Sequence, residues 1–139
     1  MNKKGFSLVE LLVVIVLLGI IMTLAIPAIT GITRSIKDNM LEKKVELIEQ
    51  DALLYGEEMK MSIINSTTKY NGYKCKVVVV KDLVPEYLDK DNEDCTIGTN
   101  CIIDPSDENN YLDNYNIILY YKNKRLKAKL DIEGKLSCS

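Results

Sequence analysis

The sequence contains no histidine and no tryptophan among its 139 residues. Without imidazole it lacks the side chain that titrates near neutrality and the commonest metal ligand, which removes His-dependent catalysis. Neither sign of charge is in large excess: 18 Lys and Arg against 20 Asp and Glu leave a formal charge of −2. So mild a balance leaves no general nucleic-acid footprint. The four cysteines, Cys75, Cys95, Cys101 and Cys138, contain no C-x-x-C pair, so spacing gives no support to a zinc site. No catalytic residues, no metal ligands and no cofactor are assigned. The composition points away from an enzyme.

What is present is concentrated at the start, MNKKGFSLVELLVVIVLLGIIMTLAIPAI. A run this long and apolar predicts a membrane-spanning helix rather than a helix buried in a core. Lys3 and Lys4 precede it, which by the positive-inside bias places the N-terminus in the cytoplasm and the rest outside. No A-x-A-like site follows the run, as a secretory signal would require. One acid, Glu10, lies inside the run four residues after Phe6. A carboxylate in hydrocarbon costs roughly 2.5–3.5 kcal/mol on insertion scales, so Glu10 needs either a partner or a place at headgroup level. Gly19 and Pro27 weaken the helix, and a kink or local unwinding is expected near residues 23–27.

The string K-K-G-F-S-L-V-E-L-L-V-V-I resembles the leader of type IV pilins and type II secretion pseudopilins residue by residue. The resemblance implies cleavage by prepilin peptidase between Gly5 and Phe6 and methylation of the new amine at Phe6. It implies that Glu10 attracts the Phe6 amine of a neighbouring subunit during assembly, and that the helix loosens at Gly19 and Pro27 in the filament. It further implies partners: other copies and related pilins, the peptidase, an inner-membrane assembly platform, and the bilayer before assembly. The string K-D-L-V-P-E-Y-L, Lys81–Leu88, is similar to a segment of pilin-like proteins from Gram-positive bacteria.

Beyond Pro27 the apolar residues keep helical spacing: Ile29, Ile32, Ile36, Met40, Leu41, Val45, Ile48, Ala52, Tyr55, Met59 and Ile63. The opposite face carries Lys37, Asp38, Glu42, Lys43, Glu46, Glu49, Glu57 and Lys60. A continuous helix from Phe6 to Ile64 would be on the order of 90 Å long. The expected organisation is a leader, 1–5; a long helix, 6–64, with a transmembrane half, 6–29, and an amphipathic half, 30–64; and a β-rich head, 65–139. The fold class is α+β, with the helix packed on a small antiparallel sheet in a pilin-like ladle.

Within the head, Asn65–Gly72 reads as a loop, and Asn65-Ser66-Thr67 is a sequon short enough to arise by chance. Val77–Val80 is a β-branched run suited to a strand or an extended lead-in, and Asp82 is an N-cap for a short helix, Leu83–Leu88. Asp89–Asn110 reads as a long acidic surface loop without the glycine and distal glutamate of an EF-hand. Tyr115–Tyr121 and the alternating Leu126–Glu133 form a hairpin around Lys122-Asn-Lys-Arg. The lysines on it fit protection of a strand edge, with DNA or anionic wall polymer as a lesser alternative. Four cysteines outside the cytoplasm are read as two disulfides; three pairings are open, and Cys95–Cys101 with Cys75–Cys138 is preferred.

The expected function is a polymerising subunit of a surface pilus, a DNA-uptake (competence) pseudopilus or a secretion pseudopilus. The alternative is a tethered extracellular binding domain that never polymerises.

Overall fold

The apolar run and the amphipathic stretch after it form one helix, α1 (Leu8–Glu58), in the computed structural model of the chain, which describes residues 5–139. The leader residues Met1–Lys4 lie outside the described residues. The helical assignment continues through Gly19 and Pro27, so the unwinding expected near residues 23–27 does not interrupt the isolated chain. Thr23 and Thr33 instead turn their hydroxyls back onto the carbonyls of Ile20 and Ile29, each at 2.8 Å.

The chain divides into two compact units, Met1–Lys37 and Asp38–Ser139, and α1 contributes to both. In the first, large apolar side chains from Phe6 to Ile26 are all at least 47% exposed. Among the described residues α1 is the one helix long and apolar enough to cross a membrane.

In the second unit, α1 lies on an antiparallel sheet of order β1-β2-β5-β6: β1 (Lys69–Tyr70), β2 (Tyr73–Val79), β5 (Asn116–Lys122) and β6 (Arg125–Leu130). Ile48, Ala52 and Ile63 are fully buried, with Leu41, Val45, Tyr55 and Met59 packed against the same core. The apolar stripe therefore meets the sheet only from Leu41 onward; Ile29, Ile32, Ile36 and Met40 are more than half exposed. Leu47, Leu54 and Met61 are also exposed, placing a second, seven-residue apolar spacing on a face expected to be polar. At Gly56 helix and sheet approach closely. A Cβ there would stand 2.7 Å from Leu126 Cδ2 and 3.2 Å from Leu119 Cδ1.

The helix expected to continue to Ile64 breaks at Met59, whose ψ of 9° departs from helical values, and resumes as α2 (Lys60–Ile64). That last turn is held to β2: Lys76 Nζ donates to Ser62 Oγ at 2.7 Å and Lys74 Nζ to the Ile64 carbonyl at 2.6 Å.

Period two decides the sheet's two faces. Ile117, Leu119 and Val78 join the core shared with α1, while Cys75 and Ile118 are buried on the other face. The Cys75–Cys138 disulfide brings the C-terminal segment to β2, and Lys69 and Ser139 exchange two backbone hydrogen bonds of 2.9 and 3.1 Å.

Three local expectations are corrected. The stretch Asn65–Gly72 contains β1 and a two-residue turn, Asn71-Gly72, with φ of 49° and 84°, the geometry that Asn-Gly favours in hairpins. No α-helix forms over Leu83–Leu88. The chain makes a 3-10 turn, Val80–Leu83, with Asp82 accepting from the Val79 N–H. The residue before Pro85 is then extended (Val84, ψ 136°), as a following proline demands. Asp89–Asn110 is not wholly a surface loop: Cys101 and Ile102 within it are fully buried, and β3 (Ile103–Asp104) pairs with β4 (Asp107–Tyr111).

Candidate functional site

The residues expected to carry assembly sit at the start of α1. Ser7 closes the helix: its carbonyl accepts from Glu10 and Leu11 N–H at 3.0 and 3.2 Å, and its Oγ stands 3.3 Å from the Glu10 nitrogen. Ser7-Leu-Val-Glu is thus the S-x-x-E arrangement of a capping box, with Glu10 in the first turn, where the helix dipole favours a negative charge. Sequence reasoning assigned Ser7 no role, although the S-x-x-E spacing was there to read.

Helix capping occupies the Glu10 backbone, not its carboxylate. Glu10 is exposed, and no ion pair satisfies it among the described residues. Phe6, one residue before the cap, is 77% exposed. The two are four residues apart, about one helical turn. A Cβ on Gly19 would meet nothing within 4 Å, so nothing inside the subunit requires glycine there, in contrast to Gly56. Gly5 and Pro27 occupy their expected places in the chain, at the edge of the leader and within α1.

The second set of expected site residues is the cysteines. Cys75 pairs with Cys138 across 63 residues and Cys95 with Cys101 across 6, leaving no free thiol. Among the described residues no group of His, Cys, Asp and Glu is arranged to hold a metal ion. The small disulfide loop is fastened from inside. Asp113, only 1% exposed, accepts the Cys101 N–H at 2.9 Å and the Ile102 N–H at 3.0 Å. Asp91 ties the same loop to α1, receiving Lys44 Nζ at 2.6 Å on one oxygen and the Ile103 N–H at 2.9 Å on the other. These acids resemble cation ligands in sequence but serve backbone donors and a lysine. Above them Tyr87 packs edge-on to Tyr55, with ring centroids 5.3 Å apart. Its hydrogen bond with the Glu58 carboxylate, with desolvation and further negative charge, pushes its hydroxyl up to about 12.

At the other end of the sheet, strand register puts Lys122, Arg125, Lys127 and Lys129 of the β5–β6 hairpin on one exposed face, as expected, and Lys124 in the turn between the strands. Lys122 stands 5.7 Å from the Tyr73 ring centre, while Lys124 lines a cleft with Lys60, Tyr73, Lys74 and Tyr121. The Tyr121 hydroxyl is buried there without a hydrogen-bond partner.

Comparison with known proteins bears on the N-terminal segment alone. Residues 1–26 match the family described as the prokaryotic N-terminal methylation motif. No curated protein and no solved structure matches the chain. Its N-terminus carries the signature of type IV pilins and pseudopilins, on a long helix packed against a small antiparallel sheet.

Proposed function

We propose that the chain is a type IV pilin-like structural subunit, cut between Gly5 and Phe6, methylated at Phe6, and polymerised into a pilus or pseudopilus. The observation that carries this reading is the methylation motif at residues 1–26, joined to a helix whose apolar side chains find no cover within the subunit. Before assembly the segment 6–29 anchors the protein in the cytoplasmic membrane with the head outside. The paired cysteines suit that oxidising side.

Assembly then needs a partner for Glu10. Cleavage converts the Phe6 amide to a positive amine, and the Glu10 carboxylate of an adjacent copy neutralises it in a low-dielectric environment. Other pilins, prepilin peptidase and an inner-membrane platform are the partners of this step. Loosening at Gly19 and Pro27 belongs to the packed filament. Adhesion, motility, DNA uptake and protein secretion all use such a subunit; two disulfides in the head favour an exposed surface pilus.

Intact mass of native protein from membrane and sheared-surface fractions tests the reading. The expected result is loss of Met1–Gly5 plus one methyl, with protein in the sheared fraction. A full-length mass confined to membranes would overturn it in favour of a tethered binding domain. Glu10→Ala is expected to be processed normally yet assemble poorly, and abundant filaments from that variant alone would remove the pairing.

A further inference from the structure

The charges of the head are sorted by segment. Residues 59–81 and 114–130 hold ten Lys and Arg and no acid, whereas residues 82–113 hold ten acids and one lysine. Folding turns this into a polarity along α1. The acidic segment leaves the sheet at the Val79–Asn116 end and is tied to Lys44. The basic turns lie at the opposite end, where Lys74 and Lys76 reach Ile64 and Ser62. Along the helix Lys44 and Ser62 are about 27 Å apart, and the start of the acidic segment reaches as far as Glu58 through Tyr87.

The basic end is unneutralised. Among the described residues, none of the ten cations has a carboxylate within salt-bridge distance, and all but a few, such as Lys81 beside Asn114, lie away from the acidic end. Four of them, Lys60, Lys74, Lys124 and Arg125, surround two adjoining recesses of about 460 and 340 Å³, into which Glu57 also faces. The Tyr121 side chain lines both, with its hydroxyl buried beneath the surface. Within the acidic segment Glu86, Asp89, Asp94 and Glu108 are exposed and make no ion pair among the described residues.

We infer that this basic cleft receives the acidic 82–113 segment of a second copy of the chain, so that heads stack end to end along α1. The two ends are unlike, so the contact is heterologous; it does not close on itself but continues as an open array. A carboxylate entering the cleft meets the ammoniums of Lys60, Lys74 and Lys124 and the guanidinium of Arg125. A polyanion fits less well. The acids match the cations in number, and a net charge of −2 repels nucleic acid or anionic polymer overall. The inference rests on the filament reading, to which it adds the register of the heads.

The test mixes light and heavy isotope-labelled full-length protein and applies zero-length carbodiimide coupling, in sheared filaments or in native membranes. Mixed-isotope amide links from Lys60 or Lys124 to Asp89 or Asp94 are expected. Charge reversal on one side alone (Lys124→Glu with Arg125→Glu, or Asp89→Lys with Asp94→Lys) is expected to lower sheared-filament yield at least about tenfold, because like charges then face each other. Reversal on both sides is expected to restore it, with processing and cellular protein level unchanged throughout. Links confined to single copies, or double reversal no better than single, would overturn the inference. Unchanged yield with lost binding of labelled DNA would overturn it too and assign the cleft to a polyanion. If the protein proves unprocessed, the filament reading fails by mass, while coupling in membranes still decides the contact between heads.

Discussion

The Glu49 carboxylate accepts the Leu130 backbone N–H at 2.9 Å, joining α1 to the edge strand β6 across 81 residues. Leu130 is buried, so without Glu49 its N–H would face neither water nor a strand partner. One side chain both pins the helix and covers part of a strand edge.

Replacing Glu49 by alanine is therefore expected to cost about 1–3 kcal/mol, the penalty of an unsatisfied buried donor. In a unit of this size that lowers the melting temperature by about 4–8 °C per kcal/mol. Glu49→Gln keeps an acceptor and is expected to retain most of the stability. Thermal unfolding of the full chain in detergent micelles compares them; equal loss in both variants would mean that charge, not acceptance, matters.

The two disulfides differ in what they restrain. Loop-closure entropy assigns about 4 kcal/mol to the 63-residue span of Cys75–Cys138 and about 2 kcal/mol to the 6-residue span of Cys95–Cys101. The double variant Cys75→Ser/Cys138→Ser is expected to melt well below Cys95→Ser/Cys101→Ser under non-reducing conditions. The reverse order would show that the short bridge mainly supports the packing of Cys101 and Ile102.

Two acids give opposite pH dependences. Burial pushes Asp104 up, but hydrogen bonds from the Ser106 hydroxyl and backbone and from Asn110 outweigh it and hold the carboxyl below its ordinary value. Its stabilisation is present above the unfolded pKa, about 4, and is lost as pH falls through the lower folded value. Asp51 runs the other way: desolvation and then Asp89 raise it against the pull of Lys44. Its contribution is complete below the unfolded value and lost as pH rises through the folded one. Melting curves from pH 3 to 7 are expected to show Asp104→Asn losing stability chiefly above pH 4. Asp51→Asn is expected to gain over wild type at pH 7 and lose that gain in acid.

The β5–β6 turn asks for left-handed backbone at both Asn123 (φ 53°) and Lys124 (φ 62°). Asparagine tolerates this, whereas lysine pays about 1–2 kcal/mol relative to a right-handed conformation. Lys124→Gly is expected to raise stability by about 0.5–1 kcal/mol after the added freedom of the unfolded chain is subtracted. A fall in melting temperature would show that Lys124 makes contacts worth more than the strain.

These sites mark what was legible in the sequence. The burial of Ile48, Ala52 and Ile63 follows from spacing alone, and the β5–β6 hairpin from alternation, because both are local patterns that one buried face enforces. Glu49 read as part of a polar face, since its acceptor role depends on a strand 81 residues away. Cys101, Ile102 and Leu112 are buried among acids that obscure any period; what seats Cys101 and Ile102 is the Asp113 carboxylate and, for Cys101, a disulfide. The helix expected at Leu83–Leu88 failed because a good N-cap residue was set against the conformational demand of Pro85 on Val84. At the N-terminus the motif named Phe6 and Glu10, and the structure added Ser7.

The Cys75–Cys138 bridge has a mechanical meaning. Under tension applied through the N-terminal end of α1, a chain unravels from its attachment toward the first covalent crosslink. The 63-residue span behind Cys75 is then withheld from extension; at about 3.5 Å per residue, roughly 200 Å of slack never enters the load path. A subunit so strapped yields, if at all, in α1, α2 and β1, while residues 75–138 keep their contour.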